Sequence, residues 1–344
     1  MAAGGLGFSV LKNVLADGEE TETAGHGVTS NAAGLIPLTY SGHYNISAFG
    51  LEHLHPFDGR KFSKIQKHLI DSGVRLPADF VKPSPLSQEQ LLAVHAADYL
   101  QSLKHSTVLA KIFEVPAAAM IPAPLLEWRV LNPMRLAGGG TLVACHLALQ
   151  NGLAINLGGG YHHADRDRGG GFCVYSDVPI ALTLLRAEDK IKKALIIDTD
   201  AHQGNGFANI LRHTSWAHVV DLFDESIYPF PKVLEDMSVP LPTRTRGDGY
   251  LTALEKAIPV AIARYQPDLI VYNAGSDVLA SDPLSTLLLS PEEMRDRDLF
   301  VVSQARERGI PIAMVLAGGY SHESASAHGR SIEAILRKFD SPST

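Results

Sequence analysis

Asp198, Asp200 and His202 alternate along the run Asp198-Thr199-Asp200-Ala201-His202-Gln203-Gly204-Asn205-Gly206. On extended backbone, residues i and i+2 point the same way. Asp200 and His202 can therefore reach one cation, and Asp198 extends the row. A further carboxylate ends the run Asn273-Ala274-Gly275-Ser276-Asp277. Asp200, His202 and Asp277 together form an oxygen/nitrogen set of three with a place left for water, the plan of a catalytic zinc rather than a structural one. With only two cysteines, Cys145 and Cys173, a closed thiolate site is excluded. The plainer reading is that these acids cap the next helix and that Asp277 is an ordinary turn residue.

Two histidines, His162 and His163, follow Gly158-Gly159-Gly160 and Tyr161. Adjacent histidines can be core or surface accidents. Beside a metal set, however, neutral imidazole suits both removing a proton from water and returning one to a leaving amine near pH 7. Tyr320, after Gly318-Gly319, offers a hydroxyl that can be aimed at a developing oxyanion. Alone, that tripeptide reads equally well as a turn with a packing aromatic.

These residues need elements to position them. Beyond residue 150, short apolar runs (153–157, 194–197, 219–222, 269–272 and 312–316) read as strands buried on both faces. Between them the pattern predicts helices over 178–190, 205–213, 250–265 and 291–308. Ser290-Pro291-Glu292-Glu293 marks the start of the last, and Pro259 predicts a kink in the third. Strand–helix alternation implies a parallel sheet covered on both faces. In such sheets ligands bind beyond the carboxyl ends of the strands, and four of these runs are followed by the polar groups named above.

Residues 1–38, rich in Gly, Ala, Thr and acids, read as a poorly ordered tail, and 39–340 as a single domain without an internal linker. Residues 40–130 look mostly helical and loop-like, with Leu91, Leu92, His95 and Tyr99 at helical spacing. The formal charge of −7 provides no basic field for bare nucleic acid, so no direct nucleic-acid binding is expected. No apolar stretch reaches the roughly 18–20 residues of a membrane span, and nothing at the N-terminus reads as a secretory or transit signal. A nuclear or cytoplasmic setting is expected.

Taken together, the residues from Tyr40 to Leu336 resemble the zinc-dependent histone deacetylase family, most closely its class IV branch. The resemblance is carried by Tyr40-Ser41-Gly42-His43-Tyr44-Asn45, Leu54-His55-Pro56-Phe57-Asp58, Gly169-Gly170-Gly171-Phe172-Cys173 and the four post-strand groups, in family order. It implies an α/β fold, the three-layer α/β/α sandwich of the arginase/deacetylase type around a mainly parallel sheet of about eight strands. It implies one catalytic Zn2+ on Asp200, His202 and Asp277, with His162 and His163 as the working imidazoles and Tyr320 as electrophile. Asp198 and Asn205 would back the two imidazoles. Gly171, Phe172 and Tyr228 would line the acyl-lysine channel, and Glu114 would grip the substrate backbone. A structural K+ near Asp198 is implied as well.

The expected substrate is an acylated lysine on histone tails or other proteins, acetyl or long-chain, with a corepressor complex as a possible setting. Active relatives commonly carry Asp where this chain has Asn205, whereas Tyr320 is intact. An arginase-like enzyme would need a second carboxylate at 204, where Gly204 stands. An amidohydrolase of acetylated polyamines or small amines and a catalytically idle acyl-lysine binder remain the rivals.

Overall fold

The computed structural model describes residues 34–47 and 56–340. Its centre is one eight-stranded sheet in which every pairing is parallel, in the order β2-β1-β3-β8-β7-β4-β5-β6. The strands are β1 (Leu38–Thr39), β2 (Phe80–Val81), β3 (Leu153–Asn156), β4 (Ala194–Asp198), β5 (Ala217–Asp224), β6 (Met237–Leu241), β7 (Leu269–Asn273) and β8 (Ile312–Val315). The five runs expected as strands are β3, β4, β5, β7 and β8. The two-residue β1 and β2 are too short to leave a pattern. At the sheet edge, β6 alternates exposure and contains Pro240, which is tolerated there because no neighbour needs its missing N–H.

Burial on both faces follows from alternation along each strand. In β4, Leu195 and Ile197 join the core beneath the Gly247–Tyr265, Pro291–Glu307 and Ser324–Phe339 helices. Ala194 and Ile196 face the opposite core, formed with the Asn132–Asn151, Asp177–Ala187 and Asn205–Leu211 helices. This is the α/β/α sandwich. Fully burying one such isoleucine contributes roughly 1.5–3 kcal/mol. The Ser290 capping box forms, with Ser290 Oγ accepting from Glu293 N at 3.2 Å and Glu293 Oε2 accepting from Ser290 N at 2.7 Å. The Gly247–Tyr265 helix runs on through Pro259.

Two details differ from the sequence reading. The 91–99 segment is two short helices, Gln88–Leu92 and Ala97–Ser102, because His95 turns into the core and accepts the Ser176 N–H at 2.9 Å. Burial holds that imidazole down at about 4, so it stays neutral there. Residues 36–38, read as the end of the tail, are held in place. Arg75 bonds Ile36 O at 3.0 Å and Asp340 at 2.7 Å, and Asp340 Oδ1 accepts Ile36 N–H at 2.8 Å. The expected tail 1–33, together with Leu54 and His55, lies outside the described residues. Among the described residues no helix is long and apolar enough to cross a membrane.

Candidate active site

The four polar groups singled out in the sequence follow β3, β4, β7 and β8, four consecutive strands of the sheet. Parallel strands put all four carboxyl ends on one edge, so residues more than 150 apart in sequence converge. Asp198, the last residue of β4, pairs in register with Asn273, the last of β7, and Asn273 Nδ2 donates to Asp198 Oδ1 at 2.9 Å.

Asp200, His202 and Asp277 come together as expected. Each is buried, and one ligand atom from each lies within 4.8 Å of the others. His202 Nδ1 is 3.2 Å from Asp200 Oδ1 and 3.0 Å from Asp277 Oδ2. Backbone amides aim the carboxylates: Gly318 N–H donates to Asp200 at 2.8 Å and Ala201 N–H to Asp277 at 2.8 Å. A Cβ at Gly318 would meet both carboxylates, at 2.6 and 2.7 Å, so only glycine lets the chain come this close. Burial pushes the Asp277 carboxyl up, and the neighbouring Asp200 charge adds to it. Burial disfavours charge on His202 too, but the two carboxylates outweigh that and raise the imidazole. A buried, acid-rich O/N set of this kind fits a divalent cation, whose charge would stabilise both carboxylates at once.

The imidazole pair stacks beside this set, with ring centroids 4.1 Å apart. His162 Nδ1 donates to Asp198 Oδ2 at 2.9 Å, and its Nε2 is 3.6 Å from Asp200. Burial works against its charge, yet Asp198 and Asp200 prevail and raise it to about 9. His163 Nδ1 donates to Asn205 Oδ1 at 2.7 Å, which leaves Nε2 as its bare nitrogen. Burial, with His162 and His202 alongside, pushes it well below the ordinary imidazole value. One ring is thus poised charged and the other neutral.

Gly171 has φ +48, and a Cβ there would meet His163 Cδ2 at 2.3 Å. Tyr228 meets the His163 ring edge-on at 4.9 Å and is 41% exposed at the mouth. Phe172 meets Tyr320 at 5.7 Å, and Tyr320 meets His202 at 6.2 Å. Burial, then Asp200 and Asp277, raise the Tyr320 phenol well above its usual value, so it stays a hydrogen-bond donor. Glu114 is exposed at the rim with φ 56. Its charge adds to the burial that raises the Tyr228 phenol. His163 and Tyr320 line an apolar cavity together with Phe113, Leu126, Val130, Met134 and Cys173.

Several positioning residues escaped the sequence reading. Asp177 accepts the Gly160 and Tyr161 N–H groups, each at 2.9 Å, and so fixes the turn before the histidines. The buried Arg297 donates to Thr199 O and Gly275 O at 3.1 and 2.7 Å, bracing the β4 and β7 loops, and to Asp298 at 2.8 Å. Asn273 stood in a quoted motif without a role. The others had no local signal, because their partners lie far along the chain.

A parallel sheet whose central strands bring a buried Asp-His-Asp set, an imidazole pair and a tyrosine together at one edge defines a metal-dependent amidohydrolase architecture. The histone deacetylase domain matches residues 55–336. The chain is 40% identical over 306 residues to Histone deacetylase 2 of Arabidopsis thaliana, covering 88% of this chain and 79% of the relative. It therefore belongs to the histone deacetylase family. Its fold resembles the HDA15 HD domain, with TM-score 0.72 and 20% identity over 88% of this chain and 90% of that one. It also resembles an acetylpolyamine aminohydrolase from Burkholderia pseudomallei, with TM-score 0.67 and 20% identity over 87% and 98% of the two chains.

Proposed function

We propose that this chain is a zinc-dependent deacylase of Nε-acyl-lysine in proteins, of the class IV type. The observation that carries the reading is the convergence of the buried Asp200, His202 and Asp277 with the split His162/His163 pair and Tyr320, the last three lining one apolar cavity. Asp200, His202 and Asp277 would hold the zinc. When bound, it would polarise the acyl carbonyl and lower the pKa of the attacking water.

The remaining steps belong to the side chains. His163 Nε2, bare and neutral, takes the proton of the attacking water. The Tyr320 hydroxyl donates to the acyl oxygen as it gains charge. His162, held charged by Asp198, keeps positive potential beside that oxygen, and a protonated imidazole then delivers a proton to the departing lysine amine. Phe172, Gly171 and Tyr228 form the channel walls around the lysine stem, and Glu114 at the rim is placed to accept from a substrate backbone N–H.

The apolar lining that Leu126, Val130 and Met134 add to this cavity supports acyl groups longer than acetyl. Phe230, 68% exposed beside Tyr228, suits a peptide flank better than a polyamine. Histone tails or other acylated proteins, a nuclear or cytoplasmic setting and a corepressor partner belong to the same reading, as does 39–340 as one catalytic domain. A K+ near Asp198 is supported by Asp221 Oδ1, which is buried without a hydrogen-bond partner on the strand paired to Asp198.

The test is turnover of acetyl-lysine, myristoyl-lysine and N-acetylputrescine by the purified chain, with zinc and after chelation. Zinc-dependent cleavage of the peptides supports the reading. Turnover that survives complete metal removal, or that favours the polyamine, overturns it.

A further inference from the structure

The Tyr320 hydroxyl, on which the proposed reaction depends, has no hydrogen-bond partner of its own among the described residues. Its ring is bounded by aromatic edges: Phe57 at 6.3 Å, Phe172 at 5.7 Å and His202 at 6.2 Å. Such edges confine a ring but do not fix where it starts. The starting point is the 317–321 turn, an irregular stretch with Ala317 at φ 46 and Gly319 at φ 130. Backbone partners meet only part of its polar groups, Ala317 N–H donating to Gly159 O at 3.1 Å and Gly318 O accepting Ser276 N–H at 3.2 Å, and side chains hold the rest.

Two buried side chains do so from opposite sides. Asp282, 6% exposed, accepts the N–H of Tyr320 itself at 2.7 Å and that of Ser321 at 3.1 Å through one oxygen. Its other oxygen accepts Leu284 N–H at 3.0 Å. Lys61, 0% exposed, donates to Ala317 O at 2.9 Å and Gly318 O at 2.8 Å. The amides and the carbonyls of one turn are thus gripped separately. Asp282 lies in the loop that begins with Asp277, and Ser281 and Ser321 join the two segments again at 2.7 Å.

We propose that Asp282 and Lys61 are positioning residues for Tyr320, acting on its hydroxyl through the 317–321 turn. This rests on the deacylase reading above, because it requires Tyr320 to act on substrate. Displacing a reacting group by about 1 Å can lower a rate about 100-fold, so Asp282→Ala and Lys61→Met should each lower kcat about 10- to 100-fold. KM should stay nearly constant, as for loss of an interaction made in the transition state.

The test is a double-mutant cycle on the zinc-loaded full chain. In the Tyr320→Phe background, which has no hydroxyl to misplace, the same two changes should have almost no further effect on kcat. Asp282→Asn, which still offers an acceptor, and Lys61→Arg, which still donates, should recover most of the lost activity. Amide hydrogen exchange over 317–321 should quicken in Asp282→Ala and Lys61→Met, with activities compared at matched zinc occupancy because Gly318 N–H also aims Asp200. Losses that multiply in the Tyr320→Phe background at matched zinc occupancy, or unchanged exchange over the turn, would each overturn the proposal. If Tyr320→Phe alone leaves kcat intact, the deacylase reading fails in its use of Tyr320, while the exchange measurement still reports whether the two residues hold the turn.

Discussion

Replacing Asn205 by Asp probes the division of labour between the imidazoles. At present an amide oxygen 2.7 Å from His163 Nδ1 orients the ring without adding charge, and burial keeps the ring neutral. A carboxylate there would place a negative charge about 4 Å from the ring centre. At an effective dielectric near 20 that interaction is about 4 kcal/mol, or about 3 pH units at 1.36 kcal/mol per unit. Desolvation of the new carboxylate opposes it, leaving a rise of about 1–3 units. His162 shows the sign within the same molecule: with Asp198 at 2.9 Å it is raised to about 9 despite burial. In the proposed reaction His163 serves as base only when unprotonated, so activity should fall below its pKa, and a raised pKa should move the acid limb of kcat/KM to higher pH. The assay is a kcat/KM profile of native and Asn205→Asp protein on one acyl-lysine peptide, with matched zinc content. An acid limb that does not move would refute the assignment of His163 as base.

Tyr320→Phe should lower kcat on the order of 10²–10³-fold, because the lost donor acts chiefly on the oxyanion; steady-state kinetics at matched zinc occupancy check this. Met134 lines the cavity, so Met134→Trp, which takes up its volume, should suppress myristoyl-lysine cleavage much more than acetyl-lysine cleavage, read as a ratio of kcat/KM values. Arg297→Leu leaves the fully buried Asp298 without its ion partner, so urea unfolding should show a loss of about 3–5 kcal/mol.

The site was largely legible because its residues sit next to strong apolar runs. Asp200, His202 and the His162-His163 pair follow β4 and β3 almost directly, and the carboxyl-end rule then placed them together. What held them was not legible. Lys61 bonds carbonyls of Ala317 and Gly318, and Arg297 bonds Thr199 and Gly275, pairings that leave no trace in local periodicity. The short strands β1 and β2 failed for the opposite reason, since two residues cannot display a period. The Asn132–Asn151 helix carries Gly138-Gly139-Gly140, residues of weak helix propensity. Close packing overrides that weak propensity, with Ser84 and Tyr44 lying directly against the glycines.

The Arg75–Asp340–Ile36 clasp has a practical consequence for anything fused to this enzyme. Ile36 precedes β1 and so lies at the amino edge of the sheet, across the thickness of the protein from the pocket, and Asp340 is bonded to it there. Cargo attached on either side of the clasped segment would leave from one shared anchor behind the catalytic face. Tyr228 and Phe230, both exposed, lie on the opposite side, at the carboxyl edge of the sheet.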